Sequence, residues 1–179
     1  MNKSLMKVTT VLAKVLEILF WIGDASMIIC LIGSAAYGRT ITSFIQTGID
    51  DGTITISGFS AQILAQDGSI IMPLLRIAFV AGIITFGFGA MICRNIYQIF
   101  KSETPFTKDT VRLVREIGIF AISAPAVQII LSIIIGIVSR NTIEVSVDMV
   151  AVFMGLVVLC MSQIFQYGAN LQDDVDGLL

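Results

Sequence analysis

Over most of this 179-residue chain the apolar positions run together instead of alternating with polar ones. Four runs stand out, Val15 to Tyr37, Ile70 to Cys93, Ile117 to Val138 and Val147 to Phe165. The hydrocarbon layer of a bilayer is about 30 Å thick and a helix rises about 1.5 Å per residue, so about 20 mainly apolar residues cross it. Inside lipid every backbone N–H and C=O must be satisfied within the segment, and at this length and spacing only helices do so. The pattern therefore predicts an all-α, integral membrane four-helix bundle in a single membrane domain, 1–179, with spans over approximately 11–37, 70–100, 110–138 and 147–168. Outer loops 38–69 and 139–146, an inner hairpin 101–109 and an acidic tail 169–179 complete it.

The connections have patterns of their own. Ile41, Phe44, Ile45 and Ile49 follow helical spacing, which predicts either an extension of the first helix or a short interfacial helix after it. Thr53 to Ser57 and Thr142 to Val147 alternate in period two with β-branched residues, the pattern of strand. Paired above the bundle, these two segments would make a small extracytoplasmic β cap; taken separately, they are irregular loops. On the other side, Arg94 to Phe100 continues the second helix until Pro105, which forces its predecessor out of helical geometry. Thr107 is then placed to cap the next helix, with Asp109 favourable to its dipole.

Composition agrees with lipid as the solvent. With 56% hydrophobic and 13% charged residues, the chain has too little polar surface to coat a soluble domain of this size. A net charge of −2 leaves no footprint for direct nucleic-acid binding. The distribution of charge is more informative than its sum. Lys3 and Lys7 precede the first run, and Arg94, Lys101, Lys108, Arg112 and Arg115 surround the second connection, whereas the other two connections carry only Arg39 and Arg140. By the positive-inside rule both termini belong in the cytoplasm, N-in and C-in, and the carboxylates Asp173, Asp174 and Asp176 weigh little against it. Lys3, Lys7 and the stretch Ser34-Ala35-Ala36 also fit a secretory leader, but Lys14, Glu17 and Asp24 interrupt its apolar core and favour a retained span.

Those same interruptions are the first candidates for chemistry, because an ionisable group in lipid costs at least about 2 kcal/mol unless paired or hydrated. Glu17 and Asp24 lie seven residues apart, on nearly one helix face, with Lys14 one turn before Glu17. Arg76, near the outer end of the second span, could reach down to Asp24, with Asp148 as a rival partner. Glu17, Asp24 and Arg76, together with Gln128 and Gln163, would line a polar cavity for an ion, proton or small ligand; alternatively they form an interhelical pair and snorkelling side chains. Small residues at helical spacing, among them Ser132, Gly136, Ala151 and Gly155, allow close helix packing or a homo-oligomer contact, and Pro125 interrupts the third span. A second candidate is the inner hairpin, where Arg94, Lys101, Lys108, Arg112 and Arg115 crowd around Pro105 and Phe106. These charges set topology and attract anionic lipid, each worth about 1 kcal/mol near the surface, and they also suit a docking surface for a cytoplasmic protein.

Enzyme chemistry is not expected. There is no histidine, no GxSxG, no phosphate-cradling glycine loop, and Cys30, Cys93 and Cys160 stand isolated, so no cofactor, metal site or disulfide framework is expected either.

The stretches Thr104 to Gly118 and Ile164 to Asp176 carry a further signal, chiefly Pro105-Phe106, Arg115, Ile117-Gly118, Phe165, Gly168, Leu171-Gln172 and Asp176. In these the chain resembles bacterial membrane proteins grouped as domain-of-unknown-function family 2975, departing from the expected pattern at Thr110 and Gly177. The resemblance implies a bacterial cell membrane location and a companion in a small helix-turn-helix regulator encoded nearby, an association that supplies no mechanism. Taken with the charge pattern, the leading expectation is a regulatory or interaction protein that engages a cytoplasmic partner through its basic inner hairpin and tail. The alternative is a small oligomeric transporter or channel working through Asp24, Glu17 and Arg76.

Overall fold

A computed structural model describes residues 3–51, 70–101, 107–139 and 149–176. They form five helices, α1 (Lys3–Ala36), α2 (Gly38–Asp50), α3 (Met72–Lys101), α4 (Lys108–Ser139) and α5 (Met149–Asp176), with no strand among the described residues. Four stretches are long and apolar enough to cross a membrane: Met6–Ala36, Met72–Lys101, Lys108–Ile137 and Met149–Leu171. The segments 53–57 and 142–147, expected as a β cap, lie outside the described residues, as do Pro105, Phe106 and Asp148.

Local chemistry explains the boundaries. α1 stops where Tyr37 adopts φ −127° and ψ 45°, outside helical geometry, and α2 then starts as a separate helix. None of its residues is buried, although Ile41 and Ile45 rest against an apolar cluster while Phe44 stays 75% exposed. Of the two sequence expectations for this region, the structure takes the separate helix. Pro73 sits in the first turn of α3, where a missing N–H breaks no intrahelical bond. At the start of α4 the Thr107 Oγ1 accepts the Thr110 N–H at 3.2 Å, the capping predicted from sequence. α4 continues through Pro125 to Ser139.

The placement of polarity on the helices is inverted relative to a water-soluble protein. On α1 the buried positions include Ala13, Glu17, Asp24 and Ser34, while Ile18, Ile22, Ile29 and Ile32 are 50–69% exposed. On α5, Val150, Phe153, Met154, Val157, Met161 and Ile164 form an exposed apolar stripe at helical spacing. Water would penalise that arrangement heavily and lipid does not, so the fold is that of a helical membrane protein.

The chain divides into two compact units, one of Met1–Trp21, Gly87–Pro125 and Asp148–Leu179, the other of Ile22–Phe86 and Ala126–Val147. In the first, α4 and α5 approach almost backbone to backbone: a Cβ on Gly155 would lie 2.6 Å from the Ile122 Cγ1 and 3.2 Å from the Ile122 nitrogen. Gly89 similarly makes room for the Phe20 ring, and Phe88 meets Phe120 with ring centroids 5.6 Å apart. In the second, Leu74, Leu75 and Ile135 form a buried apolar cluster joined by Ile41, Ile45, Ile77 and Phe79.

Candidate functional site

The first unit gathers its polar side chains where α3 ends and α4 begins. Asn95 is 5% exposed, and its Nδ2 donates to the Glu116 Oε2 at 3.2 Å. The other oxygen, Oε1, accepts from the Arg112 Nε at 2.9 Å across one turn of α4. Glu116 thus ties a buried amide on α3 to an exposed guanidinium on its own helix, with both carboxylate oxygens engaged. These three residues, with Met91, Arg94, Gln98, Asp109 and Leu113, line an open recess of about 440 Å³. Two arginines and two carboxylates in one recess give it mixed charge, suited to a polar segment carrying both signs and not to a simple ion.

A second, smaller recess of about 230 Å³ lies between α4 and α5. Lys108, Arg112 and Arg115 border it on α4, and Gln166, Ala169 and Asn170 on α5. The Arg115 Nη2 donates to the Gln166 Oε1 at 2.8 Å, so the guanidinium is held by a neutral amide. Lys101, the remaining basic candidate, places its ammonium 5.8 Å from the centroid of the Tyr97 ring, and Lys14 places its own 5.1 Å from the same ring. Such cation–π contacts contribute about 0.5–1 kcal/mol at exposed sites.

The intramembrane candidates are treated differently by the fold. Glu17 is 7% exposed and accepts from the Lys14 Nζ at 2.9 Å, the i,i+3 pair its spacing suggested. Gln163, in the same unit, is exposed. In the second unit Arg76 does not reach Asp24: its Nη2 donates to the Ser34 carbonyl at 3.2 Å, ten residues and about 15 Å further along α1. The Ser34 carbonyl lies within reach of the guanidinium, and Asp24 sits nearly three turns away along the same helix. Asp24 is 8% exposed, and its Oδ1 has no hydrogen-bond partner among the described residues. Gln128 is half-buried. Among the described residues no group of three or more His, Cys, Asp or Glu side chains is placed to hold a metal ion.

Sequence reasoning missed Asn95, Gln98, Glu116, Gln166 and Asn170 as site residues. Glu116 had a visible signal, its position four residues after Arg112. Asn95 and Gln166 had only their polarity within apolar surroundings, and their partners come from other helices.

No curated protein and no solved structure matches the chain. A family model described as "Protein of unknown function (DUF2975)" matches residues 59–177, more than half of its length. That match takes in α3, α4 and α5 and both recesses, so the chain belongs to this family of proteins of unknown function.

Proposed function

We propose that this protein is a regulatory membrane protein of the bacterial cell membrane, a four-helix bundle with both termini in the cytoplasm, that holds a cytoplasmic partner at the open ends of α3 and α4. The observation that carries the reading is the mixed-charge recess of about 440 Å³, bordered by Arg94, Asn95, Arg112 and Glu116. It lies within the size range of binding sites, about 300–1,000 Å³, and it offers donors and acceptors at the ends of two spans, where a water-soluble partner can reach them. The concentration of lysine and arginine around the same connection supports a cytoplasmic position for it. A small helix-turn-helix regulator encoded nearby is the partner to test first.

The test is co-purification from native membranes with Arg94→Glu combined with Gln98→Glu, both on exposed positions that leave the Asn95–Glu116 contact in place. The parent protein should retain the regulator, and the double variant should lose about tenfold of it, the effect of about 1.4 kcal/mol. Equal retention by the two proteins removes the reading.

A second reading, a small oligomeric transporter or channel, is favoured by one observation, the buried Asp24 with its unpartnered Oδ1. Ionisable groups in such positions line ion and proton routes in many membrane proteins. Under this reading Asp24→Asn abolishes a flux in proteoliposomes that the parent protein supports, and a parent protein without flux excludes it.

A further inference from the structure

The recess between α4 and α5 differs in kind from the one between α3 and α4. Its border holds three basic residues, Lys108, Arg112 and Arg115, two amides, Gln166 and Asn170, and no carboxylate among the described residues. Its apolar floor is made by Val111 and Ala169, which are 5% and 3% exposed. Because Arg115 is fixed by the neutral Gln166 amide, its charge is oriented without being cancelled. Arg112 is already paired with Glu116, its Nε donating to Oε1 at 2.9 Å, so the charge offered to an anion on this border is that of Arg115. The position along the helices is equally specific: Lys108 is the first residue of one span, and Asn170 the last but one of another. The ends of such stretches lie toward the headgroup phosphates. At about 230 Å³ the space falls below that of sites enclosing whole small molecules, but it admits a phosphate whose acyl chains stay outside along the helices.

We infer that the α4–α5 recess holds the phosphate of one anionic phospholipid, clamped by Arg115 with Asn170 donating from α5. The guanidinium supplies charge-assisted hydrogen bonds to the phosphate oxygens, and Ala169 keeps the floor low enough for the group to enter. The site does not depend on partner docking at the neighbouring recess.

The test uses the full chain in mild detergent, mixed with equimolar phosphatidylglycerol and phosphatidylcholine, and counts retained lipid by native mass spectrometry without any partner protein. Phosphatidylglycerol should be retained at least about fivefold over phosphatidylcholine, the factor expected from a single basic group near the surface. Arg115→Gln and Asn170→Asp should each erase that preference, while Arg39→Gln, on an exposed position of α2 that borders neither recess, should keep it. Asn170→Asp is nearly isosteric on an exposed position, so it decides the matter should Arg115→Gln fail to fold. An unchanged preference in folded Asn170→Asp overturns the proposal, and so does equal retention of the two lipids by the parent protein. Displacement of the bound lipid by millimolar inorganic phosphate would assign the recess to a free anion and overturn the lipid assignment.

Discussion

In the unit made of Met1–Trp21, Gly87–Pro125 and Asp148–Leu179, helices meet through polar side chains and bare backbone: Asn95 with Glu116, Arg115 with Gln166, Gly155 against Ile122. In the unit of Ile22–Phe86 and Ala126–Val147 they meet around Leu74, Leu75 and Ile135, and the interhelical hydrogen bond given by Arg76 goes to a backbone carbonyl. The contrast separates two tasks. Polar groups near span ends exchange protein partners for water or ligand at small cost, so a binding surface can be built there. An apolar cluster has no such exchange open to it and serves as scaffold. Asp24 is a buried carboxylate within the apolar unit, and this is why it supports a second functional reading.

The sharpest way to break the comparison is at Leu74, which is fully buried. Leu74→Ala should cost about 2–5 kcal/mol, because the void it leaves is closed off from lipid as well as water. Thermal denaturation of the purified protein in detergent measures it, and a loss comparable to that of an exposed leucine such as Leu156→Ala would show that the cluster is not a scaffold.

At Gly155 the expected loss is smaller. A methyl group there meets the Ile122 Cγ1 and backbone nitrogen, so Gly155→Ala should cost about 1–3 kcal/mol in overpacking, offset in part by about 1 kcal/mol of helix propensity. A melting temperature at or above that of the parent would mean that α4 and α5 are free to separate, and the polar recess between them would lose its rigid frame.

The smallest stability effect belongs to Asp24→Asn. An amide of the same shape replaces a carboxylate whose Oδ1 makes no hydrogen bond among the described residues, and the change should stay within about 1 kcal/mol. Loss of the folded protein would instead make Asp24 a structural anchor, and the flux measurement would then say nothing about transport.

Much of the architecture is legible in the sequence. The four apolar runs became α1, α3, α4 and α5, Thr107 became a cap, and the Ile41, Phe44, Ile45, Ile49 spacing became α2. Each of these depends on interactions within a few residues, and lipid makes them more decisive by requiring every segment to satisfy its own backbone. The Lys14–Glu17 pair was readable for the same reason, since both partners lie on one turn. What the periodicity could not supply was the axial register and rotation of one helix against another. Those are set by side-chain packing over the whole contact, and they decided that Arg76 meets the Ser34 carbonyl in place of Asp24, that Glu116 receives Asn95, and that Gln166 steadies Arg115. The sequence by itself determined which segments are helices and which solvent surrounds them, because both follow from local hydrogen bonding and hydropathy. Only the tertiary structure decided which polar groups share a recess, because a rotation of a helix by one residue, about 100°, exchanges the face it offers its neighbours.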